Sequence, residues 1–177
     1  MSHYCETAPG HPFHGPYHDR EYGFPVRKDA ELFGRFVLEI NQAGLSWLTI
    51  LKKREAFEEA YRGFEINLVA SFTDKDRERL LCDKSIIRNR LKIDAAIYNA
   101  SQLLGIREEF GSFADWLGYY HPQSKAVWVK IFASIFRFTG GKIVEEFLMS
   151  TGYLPGAHIE NCPIQQRISR LSPPWML

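Results

Sequence analysis

Apolar residues recur along this chain at the spacing of helices, and nowhere with the alternation of strands. Leu32, Phe33, Phe36, Val37 and Ile40 share one face at the i, i+3, i+4 interval. Asp29 stands where a side chain can cap that helix. Leu38 lies off the face, so the helix is apolar nearly all round and is expected to be central. "QAGLSW" breaks the pattern at Gly44, and Ser46 can cap the next helix, "WLTILKKREAFEEAYRGF". Thr73 with Asp76, and Ser112 with Asp115, have the spacing of capping boxes. Residues 86–104, "IIRNRLKIDAAIYNASQLL", carry a long helical pattern with basic residues near its start. "KAVWVKIFASIFRF" predicts a more apolar helix, and "TGGKIVEEFLMSTGY" one that opens on two glycines and ends at Gly152, a plausible C′ residue. Residues 1–28 hold Pro, Gly and His without a period and read as ordered loop; the C-terminal segment also reads as irregular. The pattern predicts an all-α chain folded as a single domain over residues 1–177.

Composition narrows this only a little. A chain of 177 residues can bury a real core. Its 45% hydrophobic content excludes a disordered chain. Aromatics reach 14%, enough to fill a core and still serve a ligand that stacks. The net charge of +1 neither demands nor excludes nucleic acid, because a basic face can coexist with an acidic remainder. No run of ~18 apolar residues predicts a membrane span. "MSHYCETAPGHPFHGPYHD" lacks the apolar stretch of a signal peptide. Cysteines at positions 5, 82 and 162 make no disulfide framework, so a reducing compartment, the cytoplasm, is expected.

"GAHIENCP" sets His158 and Cys162 four residues apart, which supplies half of a tetrahedral zinc site. Cys5 lies outside any apolar pattern and is the natural third ligand. His3, His11, His14 and His18 all qualify as the fourth. A metal so held would clip two irregular termini together and add folding free energy directly. Cys82, after two leucines, reads as an inert residue on a helix.

Other candidates each have a plain structural reading. Glu39 lies at the edge of an apolar helix face, where a carboxylate leans to solvent, pairs with an arginine or is used. Tyr17 and Trp47, in or beside loop-like segments, could pack in the core or stack on a base. Thr139, Gly140, Gly141 and Lys142 form a turn into a helix, where free amides can hold a phosphate. Lys52, Lys53, Arg54, Arg88, Arg90 and Lys92 make two basic clusters that read as solvated surface or a phosphate-facing side.

Four blocks together, "PYHDREYGFP", "NQAGLSWLTILKKREAF", "IIRNRLKIDAAIYNA" and "GYLPGAHIENC", resemble the 3-methyladenine DNA glycosylase I family of bacterial base-excision repair. The resemblance runs from Cys5 to Cys162. It implies a helix-hairpin-helix fold whose ends are joined by a structural Zn²⁺ on Cys5, His18, His158 and Cys162. It implies a base pocket of Tyr17, Glu39 and Trp47, with Glu39 as the carboxylate that reads the base and serves catalysis. It also implies a DNA-binding turn at Thr139, Gly140, Gly141 and Lys142. The partner would be double-stranded DNA with alkylated bases, bound by a monomer without a membrane. Thr7, His14 and Tyr22 depart from the family, which usually has Trp, an aromatic and Trp at those positions. Ala157 stands where many relatives of the wider superfamily carry an Asp; 3-methyladenine needs less help, because its bond to the sugar is already weak. Two other readings are a zinc-clipped DNA-binding protein that has lost glycosylase activity and a zinc hydrolase. The second needs an open metal position that four protein ligands would fill.

Overall fold

Every helix read from the pattern is present in the computed structural model, which describes residues 3–177 and contains no strand among them. The helices are α1 (Tyr4–Thr7), α2 (His14–Arg20), α3 (Asp29–Gln42), α4 (Trp47–Ala60), α5 (Ile66–Ala70) and α6 (Asp74–Cys82), then α7 (Arg90–Phe110), α8 (Phe113–Tyr120), α9 (Lys125–Ile135), α10 (Gly141–Ser150) and α11 (Pro163–Ser169). Ten consecutive residues of α3, from Leu32 to Asn41, are buried, so this helix is the axis around which α4, α7, α8 and α10 pack. Aromatic rings fill the space beside it. Phe36 lies 5.2 Å from Phe147, which stacks on Phe113 at 5.8 Å, and Trp116 and Phe132 close the cluster at 5.5 Å.

Local chemistry sets most of the boundaries. The Thr73 box is formed, with the Thr73 amide donating to Asp76 at 2.9 Å. Ser112 accepts from the Asp115 amide, also at 2.9 Å. α7 starts later than its pattern, at Arg90, because Asn89 caps the Lys92 amide. It runs on to Phe110, where Gly111 takes a φ of 96°. Gly152 takes a φ of +85° after α10, as its position predicts.

Four expectations are corrected. Asp29 does not cap α3; it is the first helical residue, and its carboxylate accepts instead from the Phe113 amide of α8 at 3.0 Å. That amide is one of the orphan donors of a helix start, and the carboxylate is placed to satisfy it. Residues 1–28 are not all loop. α1 is capped by His3, whose Nδ1 accepts from the Cys5 amide while Glu6 returns the bond, and α2 follows. The C-terminal segment likewise forms α11, with Pro163 in its first turn. Lys92 is no surface residue. It is buried, and its ammonium donates to the carbonyls of Asn41 (2.9 Å) and Ala43 (2.7 Å) at the end of α3. A cation there also meets the negative end of the helix dipole.

Apart from the main core, a small cluster of Cys162, Ile164 and Ile168 packs with Cys5, Phe24 and Ile159. It brings the two ends of the chain together.

Candidate active site and metal centre

The four proposed ligands meet at that junction. The ligand atoms of Cys5, His18, His158 and Cys162 all lie within 4.8 Å of one another. His158 Nδ1 is 3.4 Å from Cys5 Sγ and 3.6 Å from Cys162 Sγ, and His18 Nε2 is 3.8 Å from Cys162 Sγ. A tetrahedral zinc with bonds of about 2.0–2.3 Å has nitrogen–sulfur edges of about 3.5 Å. The outer nitrogens fix both tautomers. His158 Nε2–H donates to the Tyr22 carbonyl at 2.7 Å, and His18 Nδ1–H donates to Asp19 at 2.7 Å. The inner nitrogens therefore present lone pairs to the thiols, the arrangement a metal ligand needs. Burial pulls His158 down toward its neutral, ligating form and pushes the Cys5 thiol up, so that thiol needs a nearby cation to ionise. Gly23, at a φ of +84°, lets the chain pass the site; a Cβ there would lie 2.8 Å from that of Ala157 and 3.3 Å from the His158 ring.

Against this centre lies a cavity of about 230 Å³. That is below the ~300–1,000 Å³ of sites for drug-sized ligands and suits a single heterocycle. Tyr17 of α2 and Trp47 of α4 line it, with ring centroids 5.2 Å apart. Both sit on helices rather than in loops. Tyr22 continues the wall 5.6 Å from Tyr17, and Tyr4, held by His14 Nδ1 at 2.9 Å, completes it. The indole N–H of Trp47 is buried without a partner among the described residues.

Glu39 faces this aromatic box and is only 6% exposed. Neither plain reading holds: it does not lean to solvent, and Arg35 pairs instead with Glu21 (3.1 Å) and Glu31 (3.7 Å). Burial, reinforced by the nearby Glu146 and opposed by Arg35, pushes the Glu39 carboxyl up to about 8. A buried carboxyl in a cleft with so displaced an affinity for protons is a candidate functional residue.

The turn at Thr139–Lys142 opens beside the pocket. Gly140 is the N-cap of α10 and Gly141 its first residue, and Lys142 lines the cavity. Gly140 has a φ of −59°, and added Cβ atoms would meet nothing within 4 Å at Gly140 and only Val129, at 3.9 Å, at Gly141. Neither the backbone nor the packing of the chain requires glycine here, and the open space at both positions leaves room for close approach by another molecule. Of the basic clusters, Arg54 is engaged with Glu21 and Lys92 is buried, while Lys52, Arg88 and Arg90 are exposed. Thr7 is exposed and is not among the residues that line the cavity.

The sequence reading omitted Tyr4, Gln42 and Glu146 from the pocket. Glu146 had a signal: it follows Lys142 by one helical turn, so both point to the same side of α10. Tyr4 had none beyond its place next to Cys5.

Comparison with known proteins agrees with this geometry. Residues 7–129 match the family model described as methyladenine glycosylase. DNA-3-methyladenine glycosylase 1 of Escherichia coli is 32% identical over 89% of this chain and 94% of its own. DNA-3-methyladenine glycosylase of Haemophilus influenzae is 32% identical over 83% and 89%. The structure of 3-methyladenine DNA glycosylase I from Staphylococcus aureus superposes with a TM-score of 0.80 at 32% identity, covering 91% of this chain and 95% of that one. A single-residue variant of 3-methyladenine DNA glycosylase I in complex with 3-methyladenine gives 0.82, covering 91% and 96%. The chain belongs to the methyladenine glycosylase family.

Proposed function

We propose that this chain excises 3-methyladenine from double-stranded DNA by hydrolysing its N-glycosidic bond. The observation that carries the reading is Glu39, a buried carboxyl without an ion-pair partner among the described residues, which faces an aromatic box the size of one base. A base must leave the stack to enter such a pocket. Tyr17 and Trp47 would take its faces, and a ring cation adds attraction to both. A cationic base would draw the Glu39 carboxyl into its ionised form, which would accept hydrogen bonds from the amino edge of adenine; guanine offers its O6 acceptor at the same edge, so like would face like. Methylation at N3 gives the base a positive charge, so it departs neutral and its bond is already weak. The chain's part is to hold the base out, fix its orientation and stabilise the charge near the sugar while water attacks.

Residues Cys5, His18, His158 and Cys162 would hold a Zn²⁺ ion that joins the termini. With four protein ligands it keeps no open position, so its role is structural. α9, the turn at Thr139–Lys142 and α10 would act as the helix-hairpin-helix element, its free amides on a DNA phosphate. The chain would act as one domain and as a monomer. Chromatography of bases released from methylated duplex DNA tests the reading. Free 3-methyladenine is the expected product, whereas duplex binding with no released base would leave only a DNA-binding protein.

A further inference from the structure

We propose that Glu146 is a second base-reading residue, held by the Tyr22 hydroxyl, and that it biases the pocket toward purines carrying a positive charge. The inference deepens the glycosylase reading and rests on it. Tyr22 Oη donates to Glu146 Oε2 at 3.3 Å, across 124 positions of sequence. The two residues line the cavity that contains Glu39, so carboxyls from two helices, α3 and α10, face one space. The Tyr22 phenol supplies the donor that fixes Glu146.

The charges around Glu146 leave the box short of positive charge. Tyr22 faces it from the segment after α2 and Glu39 from α3, while Lys142 and Glu145 share its helix and Lys125 approaches from α9. Lys125 is engaged with Glu145 at 2.5 Å, and Arg35 with Glu21 and Glu31. Among the described residues that line the cavity, Lys142 is the only cation, and it is exposed. Burial holds both carboxyls toward their neutral forms in the empty cavity, and a positive occupant would draw them toward ionisation, so two acids against one solvated lysine, inside aromatic walls, favour an occupant that is itself positive. Purines alkylated at N3 or N7 while still bonded to the sugar carry that charge; unmodified purines do not. Glu146 would thus screen for charge, while Glu39 reads the amino edge.

The test titrates two adenine ligands, the fixed cation 3,9-dimethyladeninium and neutral 9-methyladenine, against tryptophan fluorescence. Wild type, Glu146→Gln and Tyr22→Phe are compared, with release of 3-methyladenine from methylated DNA measured in parallel. Glu146→Gln should bind the cation about tenfold or more weakly, as expected for loss of a charged contact, with binding of the neutral ligand unchanged. Tyr22→Phe, which keeps the ring and the charge, should fall between the two. Equal losses for both ligands, or no loss for the cation, would overturn the proposal. A wild-type chain that binds neither ligand and releases no base would overturn the glycosylase reading itself. Full release by wild type and Glu146→Gln alike would overturn only the role of Glu146.

Discussion

Replacing Glu39 by Gln should make the protein more stable and less active at once, and the gain should depend on pH. The folded carboxyl ionises near 8, against 4.5 for the ordinary group. Between these values the folded chain holds a proton that the unfolded chain has released. Stability therefore falls as pH rises through this window, the direction for an acid whose affinity for protons is raised by folding. At ~1.4 kcal/mol per unit, wild type should lose roughly 3–4 kcal/mol between pH 5 and pH 8 relative to a variant that cannot ionise. For a chain of this size that is a difference of roughly 10 °C in Tm. Thermal unfolding of both proteins at pH 5 and pH 8 reads it directly: similar Tm at pH 5, a more stable variant at pH 8. Excision of 3-methyladenine by the same variant should fall about ten- to a hundredfold, the worth of buried hydrogen bonds to a charged group. Parallel stability profiles with pH would refute the reasoning, because some other group would then carry the perturbed proton. Wild-type excision by the variant would make Glu39 a bystander to the chemistry.

Other perturbations address the parts around it. Cys162→Ser should lower the zinc content measured by atomic absorption and the unfolding temperature together; a metal-free protein of full stability would remove zinc from the account. Gly141→Asp puts a negative charge at the mouth of α10 and should weaken binding to damaged and undamaged duplexes alike, since phosphate contacts position without specifying. Unchanged affinity across a salt series would make the turn purely structural. Lys92→Met should cost about 1–3 kcal/mol in urea unfolding, because the Asn41 and Ala43 carbonyls lose their buried donor.

The long helices were legible because their signals are local. The face of Leu32, Phe33, Phe36, Val37 and Ile40, the Thr73 box and Gly152 each act within a few residues, and each is present where its pattern puts it. What escaped depends on distant partners. The carboxylate of Asp29 is spent on Phe113, and the ammonium of Lys92 on the end of α3, contacts that no spacing encodes. The choice of fourth metal ligand was open among four histidines for the same reason, and the structure gives each a separate task. His3 caps α1, His11 Nδ1 accepts from the amides of Phe13 and His14, His14 bonds Tyr4, and His18 alone turns to the thiols.

The least periodic segment is also the one that joins the two candidate sites. α2 presents Tyr17 to the pocket and the next residue, His18, to the metal centre. Two residues beyond the helix, Tyr22 gives its ring to the pocket and its carbonyl to His158. A metal bound between His18 and His158 would therefore fix the backbone that carries two of the pocket's aromatic walls. A helix of seven residues has too few internal bonds to hold such side chains alone. The order of the pocket would thus depend on closure of the termini, although a metal held there would touch no substrate. Loss of the ion would loosen Tyr17 and Tyr22 before it loosened α3, whose ten buried residues are held by the core.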